Sequence, residues 1–208
     1  MLFEALEVGV YGANCYIAGS EETMEAAIID PGADFNKIDS KLKELGLTPK
    51  IIILTHYHGD HIGAVKELTD KYGLKVYIHK DDAEALGDGS MNLTKSMLGK
   101  GISIKADVEL SDGDEISLGE LNFKIIHTPG HTRGGISIKV GNIMMTGDTL
   151  FRSSIGRTDF PGGSFEEIIN SIKDKIFTYD DDTLIYPGHM SPTSIKAEKK
   201  FNPFVKIS

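Results

Sequence analysis

Three imidazoles and a carboxylate fall within six residues in Thr55-His56-Tyr57-His58-Gly59-Asp60-His61, directly after the apolar run Ile51-Ile52-Ile53-Leu54. Nitrogen and carboxylate oxygen at this density, with no thiolate among them, suit zinc, iron or manganese rather than a structural zinc-thiolate cluster. The β-branched run reads as a buried strand, and 60–72 carries Ile62, Val65 and Leu68 at the spacing of a helical face. The motif therefore spans a strand end, a turn at Gly59 and the first turn of a helix. His56 and His58, two apart in extended chain, share a side and can chelate one ion. Asp60 and His61 lie past the bend and point elsewhere, so two adjacent ions would use all four. A surface run of histidines is the bland alternative, and four ligand-type residues in six positions weigh against it.

The other candidate ligands repeat one architecture. The apolar stretch 123–126 leads into His127-Thr128-Pro129-Gly130-His131, 142–145 into Thr146-Gly147-Asp148, and 183–186 into Pro187-Gly188-His189. In each, a short strand, a glycine and a ligand follow one another. Glycine lets the chain turn sharply at a sheet edge, so side chains from separate strands can converge on one point. We assign His56, His58 and His131 to a first ion, Asp60, His61 and His189 to a second, and Asp148 to a bridge between them. His127 fits a hydrogen bond behind the site or a core position, and His79, after a short strand at 76–79, fits a strand-terminal surface position or a capping role.

The elements that must position these residues are strand-rich at first and then alternating. Segments 3–10 and 14–18 read as a hairpin, and 26–30 as a strand that stops at Pro31-Gly32. Residues 34–45 have helical spacing, with Gly46 as terminator. Residues 81–86 form a helical turn, and 87–102, rich in Gly, Ser and Met, a loop that could overhang the site. Asp112-Gly113 marks a turn between extended segments, and 121–126 continues a second sheet. Ser164 with Glu167 is a capping box for a helix whose apolar side carries Phe165, Ile168, Ile169, Ile172 and Ile176.

With 208 residues, 40% of them hydrophobic, the chain suits one domain over 1–208. Acidic residues outnumber basic ones by 31 to 22, a net charge of -9, which disfavours a nucleic-acid partner. Cys15, the single cysteine, is expected to be a buried structural thiol. No positive segment precedes a long apolar core at the N-terminus and no stretch has bilayer length, so a cytoplasmic protein without membrane contact is expected, as monomer or homodimer.

These residues resemble the metallo-β-lactamase-fold hydrolases, and within them the small glyoxalase II-like, or hydroxyacylglutathione hydrolase-like, proteins. The likeness runs through Asn14-Cys15-Tyr16, Asp30-Pro31-Gly32, the histidine motif, Thr128-Pro129-Gly130-His131-Thr132 and Gly147-Asp148-Thr149-Leu150-Phe151. It continues through Gly156-Arg157-Thr158-Asp159-Phe160-Pro161-Gly162-Gly163, Pro187-Gly188-His189 and Asn202-Pro203-Phe204. The resemblance implies an α/β (α+β) fold, an αββα sandwich of two mixed sheets flanked by helices, with a dinuclear site at one edge. It implies two divalent metal ions, zinc first and iron or manganese otherwise, and a small-molecule acyl substrate, a thioester such as S-lactoylglutathione. Hydroxide generated at neutral pH would be the nucleophile, with Asp60 as the catalytic residue that orients it. Arg157 matches a basic residue that contacts the glutathione moiety in the family, or else pairs with Asp159. The chain ends soon after His189, without the helical C-terminal domain that completes glutathione binding in full-length glyoxalase II. Persulfide dioxygenases share the fold and the 156–160 motif but use one iron at positions matching His56, His131 and Asp148. Gly188 and Met190, flanking His189, are more hydrolase-like, and lactone hydrolysis would use nearly the same dinuclear chemistry.

Overall fold

The computed structural model describes residues 1–206. The chain opens with the antiparallel strands β1 (Leu2–Val8), β2 (Ala13–Gly19) and β3 (Glu25–Ile29). It then adds β4 (Thr48–Ile53), β5 (Lys75–His79) and β6 (Val108–Leu110) in parallel. Parallel neighbours need crossovers, and helices supply them. These are α1 (Phe35–Leu45), α2 (Gly59–Ile62) with α3 (Val65–Tyr72), and α4 (Lys80–Leu86) with α5 (Thr94–Met97). The chain continues through β7 (Glu115–Leu118), β8 (Leu121–His127), β9 (Ile136–Val140) and β10 (Ile143–Gly147). A small ribbon, β11 (Leu150–Phe151) with β12 (Ser154–Ile155), precedes α6 (Phe165–Asp174), β13 (Leu184–Pro187), β14 (Thr193–Ser194) and α7 (Ile195–Phe201). The first sheet runs β1 to β6 in order, and the second runs β14-β13-β10-β9-β8-β7. Both are mixed, since β10 pairs parallel with β13 and antiparallel with β9.

Period-two alternation sorts the side chains into layers. On β2, Cys15 and Ile17 turn towards Ile38 and Leu42 of α1 and Val65 and Leu68 of α3. Tyr16 and Ala18, between them in sequence, face Phe123, Ile125 and Ile138 of the second sheet. The outer face of that sheet, with Met144 and Ile185, packs on Ile168 and Ile172 of α6 and Ile195 of α7. The Ile, Leu, Val, Phe and Met side chains among these each contribute about 1.5–3 kcal/mol on full burial. The result is the expected αββα sandwich of two mixed sheets flanked by helices. No helix among the described residues is long and apolar enough to cross a membrane.

Three elements differ from the sequence reading. The helix expected over 60–72 is broken into α2 and α3 around Gly63. The Pro31-Gly32 loop crosses there: a Cβ on Gly63 would collide with the Gly32 carbonyl, and the Ala64 amide donates to Pro31 O at 2.9 Å. The 87–102 segment contains α5 and is pinned from within, because the Asn92 amide donates to Leu86 O at 3.1 Å and Ile102 O at 2.8 Å. The Ser164 hydroxyl caps α6 as expected by accepting from the Glu167 amide, but Phe165 is exposed and the packed stripe begins at Ile168. Asp112-Gly113 lies where the chain leaves β6 for β7 and so joins the two sheets.

Candidate metal centre

Strand ends from both sheets meet at one edge of the sandwich. β3 delivers Asp30, β4 the histidine motif, β8 the loop with His131, β10 Asp148, and β13 His189. One nitrogen from each of His56, His58 and His131 lies within 4.8 Å of the others, and all three residues are buried. His58 Nδ1 is 2.9 Å from His131 Nε2. A second trio, Asp60, His61 and His189, meets the same limit of 4.8 Å. In it His61 Nε2 lies 3.3 Å from His189 Nε2, and Asp60 Oδ2 lies 3.2 Å from that same His189 atom.

Asp148 stands between the trios. Its Oδ1 is 3.5 Å from His61 Nε2, and its Oδ2 is 3.6 Å from His131 Nε2 and 3.7 Å from His189 Nε2. The backbone of Gly188 makes room for it, because a Cβ there would strike the Asp148 carboxylate and the His61 ring. Among the described residues, the buried side-chain polar atoms without a hydrogen-bond partner are His56 Nε2 and Asp148 Oδ1, and both belong to this cluster. Buried polar atoms without partners are costly, and cations between the trios would satisfy both. The donor set therefore fits a pair of divalent ions.

Partners behind the rings fix which nitrogen faces inward. The Asp30 carboxylate accepts from the Thr55 amide at 2.7 Å, from the Thr55 hydroxyl at 2.5 Å and from His61 Nδ1 at 3.0 Å. The Thr55 hydroxyl, its proton given to Asp30, accepts from His56 Nδ1 at 3.1 Å. His131 Nδ1 donates to Arg157 O at 2.8 Å, and His189 Nδ1 to Gly12 O at 3.3 Å. These hydrogen bonds occupy Nδ1 of His56, His61, His131 and His189, and so turn each Nε2 inward. Burial and the neighbouring imidazoles push His56 down and His58 to about 3, so both are neutral and able to ligate. Burial alone would lower His61, but the carboxylates of Asp148, Asp60 and Asp30 outweigh it and raise it to about 10. Burial opposes ionisation of Asp60, yet the His61 charge and the His189 hydrogen bond hold it well below the usual carboxylate range. The second trio thus sits in a field that demands positive charge.

The structure gathers all seven residues assigned from sequence. It places the Arg157 guanidinium in a two-point pair with Asp159, at 2.8 and 2.7 Å, and over the Phe160 ring. His127 donates to Arg133 O at 2.8 Å, and His79 caps α4 by accepting from the Asp81 amide. The His79 and His127 rings stack 4.0 Å apart at 9°. Imidazole lone pairs lie in the ring plane, so rings stacked this way cannot share an ion at a bond length of about 2.0–2.1 Å.

Sequence reasoning missed Asp30, whose signal was present: it ends an apolar strand before Pro31-Gly32, as the assigned ligands do around their own glycines. It missed Asp82 as well, a buried carboxylate that accepts from the Thr132 hydroxyl and the Gly134 amide, both at 2.7 Å. A groove of about 430 Å³ leads away from His58, lined by Tyr57, Met91, Leu93 and Phe160 and by the charged Arg133 and Glu84.

The profile of the metallo-beta-lactamase superfamily matches residues 8–189. A Bacillus subtilis protein described as "Probable metallo-hydrolase YqgX" is 37% identical over 208 residues, covering 99% of this chain and 98% of its own. Hydroxyacylglutathione hydrolase GloC of Haemophilus influenzae is 36% identical over 213 residues, covering 99% and 98%. Among solved structures, the B3 metallo-beta-lactamase BLEG-1 superposes with a TM-score of 0.93 at 35% identity, covering 98% of this chain and 99% of its own. ETHE1 from Myxococcus xanthus gives 0.81 at 32%, covering 98% and 84%. TTHA1623 in a di-iron-bound form gives 0.85 at 30%, covering 97% and 100%.

Proposed function

We propose, for a chain that belongs to the metallo-beta-lactamase superfamily, a metal-dependent hydrolase of small acyl compounds whose substrates are thioesters such as S-lactoylglutathione. The observation that carries this reading is the pair of complete trios flanking one carboxylate. A site for one ion has no use for the second trio. His56, His58 and His131 would hold one ion, Asp60, His61 and His189 the other, and Asp148 would serve both. Two such ions supply a Lewis acid for the acyl oxygen and a water that is deprotonated near neutral pH.

The chain's own residues supply direction and exclusion. Asp60 would accept a hydrogen bond from the attacking water and aim it, since its carboxylate stays ionised beside His61 and His189. Asp30 and Thr55 lock the His61 and His56 rings, so the reacting centre does not have to reorganise during turnover. The groove beyond His58, walled by Tyr57, Met91, Leu93 and Phe160, gives the carrier an apolar bed of ligand-binding size. A thiolate needs little acid assistance to leave, because a free thiol titrates near roughly 8.5. The name and near-complete overlap of GloC support the thioester over the amide.

A second reading, a mononuclear iron persulfide dioxygenase built on His56, His131 and Asp148, is favoured by the resemblance at 156–160 and by the fold shared with ETHE1. Elemental analysis of protein purified without added metal separates the two, followed by turnover of S-lactoylglutathione, a lactone and a β-lactam before and after chelation. About two ions per chain are expected, with thioester turnover that stops on chelation and returns with zinc, iron or manganese. A single iron, with oxygen consumed in the presence of glutathione persulfide, would replace this reading with the second.

A further inference from the structure

We infer that Arg133, rather than Arg157, binds a carboxylate of the substrate's thiol carrier while Asp81 and Glu84 beside it bind an ammonium. The groove then selects thioesters whose carrier ends in an α-amino acid, an inference that rests on the thioesterase reading above. Arg133, Asp81 and Glu84 line both the groove that begins at His58 and the outer depression of about 780 Å³ that adjoins it. They stand where the two join, since both are lined by all three. Among the described residues no carboxylate is in ion-pair contact with Arg133, whereas both edges of the Arg157 fork are taken by Asp159. Asp81 and Glu84, three apart on α4 and so on one face, likewise have no lysine or arginine in ion-pair contact among the described residues.

Arg133 is held ready. His127 donates to its carbonyl at 2.8 Å, and the residues on either side, Thr132 and Gly134, are fixed on the Asp82 carboxylate at 2.7 Å each. Its stem runs along Gly162, where an added Cβ would come within 3.3 Å of Arg133 Cγ. With its backbone anchored, its stem packed and, among the described residues, no ion-pair partner, the Arg133 guanidinium offers its two-pronged face to a carboxylate. One guanidinium and two carboxylates lining the same groove complement a zwitterion: a purely anionic carrier would be repelled by the two carboxylates, and a neutral carrier would leave all three charges to water. Lys80 lines the outer depression but not the groove.

The test compares the metal-loaded wild-type enzyme with Arg133→Met and Arg157→Met on three thioesters of one acyl group, carried by glutathione, neutral N-acetylcysteamine and anionic 3-mercaptopropionate. Arg133→Met should raise KM for the glutathione thioester by on the order of ten- to a hundredfold with a much smaller change in kcat, and so collapse its preference over the neutral carrier. Arg157→Met should leave that preference in place. Asp81→Asn with Glu84→Gln should raise KM for the glutathione thioester and lower it for the mercaptopropionate thioester, opposite signs that general damage to the groove would not give. Calorimetric binding of S-methylglutathione reads the same contacts without turnover. If the wild type binds it through Arg133 yet cleaves no thioester, the subsite stands and the thioesterase reading falls. Equal losses on all carriers in Arg133→Met, an unchanged affinity for S-methylglutathione, or no binding by the wild type would each overturn the inference.

Discussion

Asp30 touches two histidines of the site, one directly and one through Thr55, and it takes a left-handed φ of 50 to do so. Strain of this kind in a non-glycine residue persists where the surroundings over-determine it. If the carboxylate is there to hold Nε2 of His61 and His56 inward, Asp30→Ala should weaken metal binding by about 10- to 100-fold. Competition with a chromophoric chelator measures this, and unchanged affinity would show that the rings hold their tautomers without it. Gly188 tests the other side. An alanine there drives a methyl group into Asp148, and a displacement of that size at reacting groups costs on the order of 10²-fold in turnover; Gly188→Ala with wild-type kcat would mean that Asp148 has room to move without consequence. At this scale the sequence was legible wherever residue type carries the chemistry. The seven assigned residues stood out because histidine and aspartate after a glycine-punctuated strand have few other uses. Asp30 hid behind the look of an Asp-Pro-Gly turn. Arg133 and Asp82 could not be read at all, because their meaning comes from which distant residues they do or do not meet.

Strands were more legible than helices, for a physical reason. A strand buried on both faces needs a run of apolar residues, and 51–53 and 143–145 supplied them, while β8 showed the alternation of a strand with one exposed face. A helix boundary depends on what crosses it. The break between α2 and α3 is set by the backbone of residues 31–32 passing against Gly63, and nothing within 60–72 announces that passage. The C-terminal helix α7 is a comparable case. It docks through Glu198, a buried carboxylate that accepts from the Ser153 amide at 2.9 Å, the Thr193 hydroxyl at 2.7 Å and the Asn202 amide at 2.8 Å. Asn202, noticed in sequence only as part of Asn-Pro-Phe, also donates to Ser154 O at 3.0 Å and so ties α7 to the β11–β12 ribbon. Glu198→Ala leaves these buried donors without their acceptor and should cost about 2–4 kcal/mol in urea unfolding. Glu198→Gln, which keeps one acceptor oxygen, should recover part of it. A loss under about 0.5 kcal/mol for the alanine would mean that water replaces the carboxylate and that α7 docks by its apolar face alone.

Asp82 is an ionisable group, apart from the assigned metal ligands, that links the two halves of the sandwich at the site edge. Asp82 belongs to α4, after β5 of the first sheet, and its acceptors serve the loop between β8 and β9 of the second. An aspartate in the unfolded chain titrates near roughly 3.9. Burial pushes Asp82 up to about 7, against the pull of the Thr132 and Gly134 hydrogen bonds. Between those values the folded chain holds a proton that the unfolded chain has released. Asp82 therefore costs nothing below about pH 4, and its penalty grows as the pH rises to about 7, where it levels off at on the order of 4 kcal/mol. Asp39 does not confuse this window: Lys43, Lys71 and Tyr72 hold its carboxyl well below the usual range, so its contribution is lost only under strongly acid conditions. Asp82→Asn keeps an acceptor and a rotatable amide for the same partners and removes the titration. Urea unfolding of both proteins across this range should give curves that diverge, the variant gaining on the wild type as the pH rises, with metal binding cancelling in the difference. Parallel curves would mean that Asp82 ionises freely where it sits. In that case the two sheets are joined by a solvated carboxylate, and the loop bearing His131 and Arg133 is looser than its hydrogen bonds imply.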